Sequence, residues 1–324
     1  MEIAITKDLI FNQSMRIESF ECDSGNEDQH LYFYHFSKTG GTSVNASLRT
    51  LALALGKRFG QILKQEEGVE KPKPEQLNPM PWILSGHTKY GYHEFFGTNL
   101  SIISVIRDPI DRVLSQYFWK YRATEASALA DKGLFTDFLE RHAHHNKMAW
   151  GLLGSDSNAE KPSDLAINRL SNFKYVTTTE YIAQMMSVIA SVNGSPSFLV
   201  QRGKVNPHIK IKDELRCEFG ARIEKQNLID AEIFSYAEKR RRMLEEEYRR
   251  LAANPRRKAT LLTGNHHLED SVLSTGKGVW IADTESKKVY YSGEDLWGAP
   301  PKQISSLPKS LNLEMAFRTK SNTD

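Results

Sequence analysis

The stretch that most constrains this 324-residue chain is Leu31-Tyr32-Phe33-Tyr34-His35-Phe36, followed by Ser37-Lys38-Thr39-Gly40-Gly41-Thr42-Ser43. The aromatic and apolar run reads as a short buried strand. Past the glycines, Val44, Leu48, Leu51 and Leu55 fall on one helical face. A strand, a glycine turn and a helix start, in that order, make a cradle for an anionic group. Paired glycines let backbone N–H groups approach an anion closely, and the helix start adds donors and the positive end of its dipole. Lys38 supplies a charge, and Thr39, Thr42 and Ser43 supply hydroxyls. The common nucleoside-triphosphate loop places its lysine after the glycines, whereas Lys38 precedes Gly40 and Gly41. Taken alone, the stretch also fits an ordinary strand–helix turn with polar capping residues.

A second unit repeats the plan. Residues 100–106 read as a buried strand, and Arg107-Asp108-Pro109 follows directly. Asp108 suits a helix cap and Pro109 a first helical turn. Ile110, Val113, Leu114, Tyr117, Phe118 and Tyr121 then recur at helical spacing. Between the units, Trp82-Ile83-Leu84 suggests a short strand running into Ser85-Gly86-His87-Thr88-Lys89-Tyr90-Gly91. Strand–turn–helix units with a cation at each turn predict an α/β fold, a central parallel sheet flanked by helices. Ligands of such sheets gather at the carboxyl ends of the strands.

The rest divides more coarsely. Residues 1–29 read as a leader or short extra element, 30–255 as the main domain and 256–324 as an extension with no assignable chemistry. Residues 64–81, with four prolines, read as a surface loop. One helix is expected over 134–153, a loop over 155–163, and a strand entering a helix start over 175–180. A long charged helix is expected over 227–253, where Lys239–Arg242 can pair with Glu245, Glu246 and Glu247 one turn on. Such pairing argues for a solvated helix face over a nucleic-acid patch. Short strands are expected over 278–282 and 288–291.

Composition narrows the class. Apolar residues make up 40% and charged residues 26%, the balance of a folded globular chain. A net charge of +3 suits anionic ligands but is not the clustered basic face that nucleic acid requires. Cys22 and Cys217 are too few for a disulfide framework or a cysteine metal site. The first thirty residues hold no signal-like apolar run, and no window reaches the roughly eighteen apolar residues of a membrane span. A soluble, cytoplasmic protein is expected, and no oligomeric state is implied.

Three segments in order resemble the sulfotransferases that use 3′-phosphoadenosine 5′-phosphosulfate (PAPS), most of all the carbohydrate-directed branch that includes heparan sulfate 2-O-sulfotransferase. Residues 36–43 resemble that family's 5′-phosphosulfate loop. Residues 104–115 resemble its 3′-phosphate segment, in which an arginine and a serine, here Arg107 and Ser115, hold the phosphate. Gly86-His87-Thr88-Lys89-Tyr90 resembles the segment with the catalytic histidine. A weaker likeness runs through 178–180 and 205–212 to about residue 253. The branch carries a second histidine two positions before the catalytic one, and Ser85 stands there in this chain. Eukaryotic members are usually anchored in the Golgi membrane; with no anchor evident, the chain looks more like a soluble microbial relative.

The resemblance implies a sulfotransferase-type fold with a P-loop-like central parallel sheet, PAPS as co-substrate, no metal, and a glycan or other hydroxylated acceptor. It implies a PAPS site of Ser37, Lys38, Thr39, Gly40, Gly41, Thr42, Ser43, Arg107 and Ser115. Thr178 and Thr179 are expected on the adenine or ribose side, and Lys38 at the leaving 5′-phosphate. His87 is the expected general base, a role that suits a group titrating near neutrality. Lys89 and Tyr90 are candidates for lining the acceptor, and Lys210 and Lys212 for approaching the 3′-phosphate or acceptor. His142, His144 and His145, and the pair His266-His267, lack a recognised metal-ligand spacing. Two other classes stay open: a non-catalytic nucleotide- or glycan-binding protein that keeps the cradle, and a nucleotide kinase, which the missing triphosphate loop disfavours.

Overall fold

A computed structural model describes residues 30–55, 57–62, 82–96, 100–193 and 208–252, together with the backbone of several short strands outside them. The loop expected over 64–81 lies outside the described residues. Numbered along the chain, the strands β1 (Leu9–Phe11) and β2 (Met15–Glu18) form an antiparallel edge on β4 (Phe59–Ile62). Part of the stretch read as a leader thus belongs to the main sheet. The sheet's five parallel strands follow the order β4, β5 (Ile83–Gly86), β3 (His30–Tyr34), β6 (Leu100–Ile106) and β7 (Tyr175–Thr178). The central strand is β3, flanked by β5 on one side and β6 on the other. The chain passes from β5 across β3 to β6, so loops leaving three neighbouring strands converge at one crevice.

Side-chain alternation along β3 builds two cores. Leu31 and Phe33 face α1 (Gly41–Ala54) and α7 (Ile182–Val192), packing with Val44, Leu48, Leu51, Met185 and Ile189. Tyr32 and Tyr34 face the other way, against α5 (Lys147–Leu153), α6 (Pro162–Ser171) and α9 (Leu228–Ala252). A third cluster joins α2 (Pro109–Lys120), α4 (Lys132–Arg141) and α8 (Ile209–Gln226) through Tyr117, Phe135, Phe138, Leu215 and Phe219. A short α3 (Ala126–Leu129) precedes α4. Strands β8 (Leu199–Val200), β9 (Gly278–Asp283), β10 (Lys288–Gly293) and β11 (Lys302–Ile304) form a separate antiparallel sheet. Its β9 and β10 fall where the two late strands were expected.

The helix expected over 134–153 is in fact two. It breaks between α4 and α5, with Asn146 in the left-handed region at φ 48°. Contacts from distant elements explain the break. Gln116 Nε2 donates to the His142 carbonyl at 3.0 Å, and the Arg112 guanidinium donates to the His144 carbonyl. Asp230 accepts from the N–H groups of Met148 (3.2 Å) and Ala149 (2.8 Å) at the start of α5. Asn146 Oδ1 in turn accepts from Ile229 and Asp230 at the start of α9, so each helix caps the other. Three helices were not expected: the short α3, α8, and α6, which starts at Pro162 inside the stretch read as a loop. Among the described residues no helix is long and apolar enough to cross a membrane.

Candidate active site

The crevice is bounded by the loops that leave β3, β5 and β6. After β3 the backbone turns through two left-handed residues, Lys38 at φ 68° and Gly40 at φ 85°. For lysine this conformation costs on the order of 1 kcal/mol and persists only where the surroundings enforce it. They do so here: Arg107 Nη1 donates to the Lys38 carbonyl at 3.0 Å, tying the loop of β3 to that of β6. Thr39 is fully buried and donates its hydroxyl to the Phe36 carbonyl at 2.9 Å, bracing the turn from inside. A Cβ on Gly40 would stand 2.7 Å from Ile182 Cδ1, so that position is closed to side chains by space as well as by φ. Gly41 opens α1, and the Ser43 and Val44 N–H groups donate to the Gly40 carbonyl at 3.1 and 3.3 Å, so the N–H groups of Gly41 and Thr42 stand ahead of the first bonds of the helix.

Opposite the loop runs α2. Asp108 caps it by accepting from the Asp111 N–H at 2.9 Å, and Pro109 occupies its first turn. Asp111, Ser115 and Trp119 follow one another a turn apart on one face. Lys38 Nζ lies 5.2 Å from the centre of the Trp119 ring, and Ser115 stands one turn before Trp119 on that face. Trp119 is 53% exposed, and the Arg122 guanidinium also lies 5.2 Å from its ring.

At the start of the same face Asp111 meets Lys212 Nζ at 2.9 Å and Arg216 Nη1 at 2.6 Å, both from α8. Arg216 also reaches Asp108 at 3.3 Å. Burial alone would raise the Asp111 pKa, but the Lys212 hydrogen bond and the charges of Lys212, Arg107 and Arg216 outweigh it and hold the carboxyl below its ordinary value. Lys212 therefore stands beside Arg107 at the α2 start, whereas Lys210 is exposed.

The third wall is the loop after β5. The Tyr32 hydroxyl and Thr88 Oγ1 are hydrogen-bonded at 2.6 Å, and Tyr90 N–H donates to the Gly151 carbonyl at 3.0 Å. These ties fold His87, which is exposed, over the β3 loop. Its ring stacks on His35 with centroids 3.8 Å apart and planes at 30°. His35 is itself stacked on Phe33 at 5.2 Å, and its ring fills the space that a Cβ on Gly41 would need. Burial first, then the His87 ring and the Lys38 charge, hold the His35 imidazole well below the usual histidine range. Tyr90 lies under the Arg169 guanidinium at 4.6 Å and edge-on to His93 at 5.0 Å. Lys89 is exposed on the same loop.

Lys38 is tied to Arg107, and His87 stacks on the His35 ring that fills the space beside Gly41, so the loops after β3, β5 and β6 meet at the strand ends. Two of the residues expected at the site turn away from it. Thr39 hydrogen-bonds inward, and Thr178, fully buried, donates to Glu238 Oε1 on α9 at 2.8 Å. Thr179 Oγ1 reaches back to the Ile106 carbonyl at 3.4 Å. His35 and Trp119 were not expected in the site. The available signal for His35 was its place at the end of the strand, directly before the glycine loop. No group of histidine, cysteine, aspartate and glutamate side chains among the described residues is arranged to hold a metal ion. The His142–His145 segment instead offers backbone carbonyls to α2, and His145 Nδ1 lies 3.4 Å from Asn227 Nδ2. No family model matches the chain, and no curated protein matches it.

Proposed function

We propose that the chain is an O-sulfotransferase that moves a sulfuryl group from PAPS to a hydroxyl of a glycan or other hydroxylated acceptor, on a P-loop-like sheet of the sulfotransferase type. The observation that supports the reading is the Arg107–Lys38 tie at 3.0 Å, which brings an arginine to the glycine turn, together with His87 stacked on His35 over the same loop.

In the transfer the acceptor oxygen bonds to sulfur as the bond from sulfur to the 5′-phosphate oxygen breaks, and that oxygen keeps the electron pair. Lys38 and the N–H groups at the start of α1 neutralise the charge gathering there. Arg107 and the Ser115 hydroxyl hold the 3′-phosphate, with Lys212 adding a charge from α8. His87 accepts the proton released by the acceptor hydroxyl, a contribution of about 10²–10⁴-fold. Most of the remaining rate comes from positioning.

Calorimetric titration of 3′-phosphoadenosine 5′-phosphate (PAP) tests the reading. Micromolar binding, worth about −8 kcal/mol, is expected for the wild type. Arg107→Ala should weaken it more than tenfold, the loss of a charged hydrogen bond, and ATP, which has no 3′-phosphate, should bind poorly. His87→Ala should keep the PAP affinity and lose transfer. A wild type that does not bind PAP refutes the proposal.

A further inference from the structure

His87 is expected to act as the base, but His35 has no part in that reading. Its ring is enclosed by Phe33 at 5.2 Å, by His87 at 3.8 Å and by the Gly41 backbone at the start of α1. The rings of His35 and His87 lie face to face, so their in-plane N–H groups cannot pass a proton between them. What the stack does impose is a shared electrostatic fate. Two imidazolium rings this close repel, so a proton on one ring disfavours a proton on the other and the two are coupled. The charged or titratable groups around it are Lys38 on the β3 loop and Lys89 beside His87, with Tyr32 tied to Thr88 behind them. The Lys38 charge disfavours a proton on His35.

An anion seated at Gly40–Thr42 reverses that balance, because the cradle that receives it touches the His35 ring. We infer that His35 is a positioning residue that couples the cradle to His87, so that donor binding raises the proton affinity of the stacked pair. This rests on reading the cradle as the site of a phosphate-type anion. In the free chain, burial holds the His35 imidazole well below the usual histidine range. The arriving anion moves its affinity towards the working pH, where a general base is most effective, and the base is strengthened only when a donor is present.

The experiment is PAP binding to the full chain at pH 6.5, by calorimetry in Bis-Tris and in MES buffers, for wild type, His87→Gln and His35→Asn. The dependence of the apparent enthalpy on buffer ionisation enthalpy counts the protons taken up. Phosphate groups of the nucleotide titrate near 6, and their contribution is common to all three proteins and cancels in the difference. The wild type should take up a few tenths of a proton more than either variant, while both variants still bind PAP. Uptake in His35→Asn equal to that of the wild type overturns the inference, whatever His87→Gln shows, because that is the result a merely structural role for His35 would give. If His35→Asn does not fold, His35→Gln takes its place in the same comparison with the wild type. If PAP does not bind, the same titration with inorganic pyrophosphate separates the two readings: binding with extra proton uptake in the wild type keeps the coupling and removes the nucleotide, whereas no binding removes both.

Discussion

Gly41→Ala tests the packing at the heart of the crevice. The added Cβ would stand 1.6 Å from His35 Nε2, 2.1 Å from Cδ2 and 2.2 Å from Cε1, inside the 3.0 Å that such contacts essentially never breach. The ring has little room to retreat, since Phe33 and His87 stack on it and the His35 N–H donates to the Gly86 carbonyl at 3.1 Å. Overpacking of this kind costs about 1–3 kcal/mol. Alanine for glycine in a helix otherwise gains up to about 1 kcal/mol, so the sign itself is informative. Urea unfolding should show a net loss of about 1–2 kcal/mol with an unchanged slope. The decisive control is the double-mutant cycle with His35→Ala. With the ring removed, Gly41→Ala should be neutral or stabilising, giving a coupling energy of about 1–3 kcal/mol. An equal cost for Gly41→Ala in both backgrounds would refute the claim that this glycine exists to admit the His35 ring.

Two further perturbations probe the frame around the site. Asp230→Ala removes the carboxylate that lies 3.8 Å from the buried Arg112 Nε and caps α5, leaving a guanidinium uncompensated in the interior. Urea unfolding should register a loss of about 3–5 kcal/mol, and a loss below about 1 kcal/mol would show that Arg112 finds other partners. Asp111 has its pKa lowered in the folded chain, so its stabilising contribution is present above the ordinary 3.8 and is lost as pH falls through the folded value. Asp111→Asn should therefore flatten the acid limb of the stability profile below about pH 4, and an unchanged limb would remove the Lys212–Asp111–Arg216 network as its cause.

The parts of the fold legible in the sequence are those specified by neighbours along the chain. The alternation Leu31-Tyr32-Phe33-Tyr34, buried on both faces, marks β3, and Asp108-Pro109 marks the start of α2 with its cap in place. Helix α8 carried a readable signal in Leu215, Phe219 and Ile223, spaced one turn apart, but charged residues surround them and dilute the pattern. The break at 142–146 was not readable, because it is made by residues far away: Asn227 Oδ1 accepts from the Asn146 N–H across 81 positions, and Asp230 caps α5.

The same division runs through the candidate site. Residue types placed Lys38, Gly40, Gly41, His87 and Arg107 in one chemistry, yet they carry no information on where a hydroxyl points. Thr39 and Thr178 have the right chemistry, but their hydroxyls are bound to Phe36 O and Glu238, where they brace the loop and the sheet end. His35 shows the converse. Along the chain it is one more ring in an aromatic strand. Its place against Gly41 and beneath His87 exists only because β5 pairs with β3, bringing residues 35 and 87 together across the strand ends. Strand order, more than any local motif, therefore decides which histidine meets the cradle.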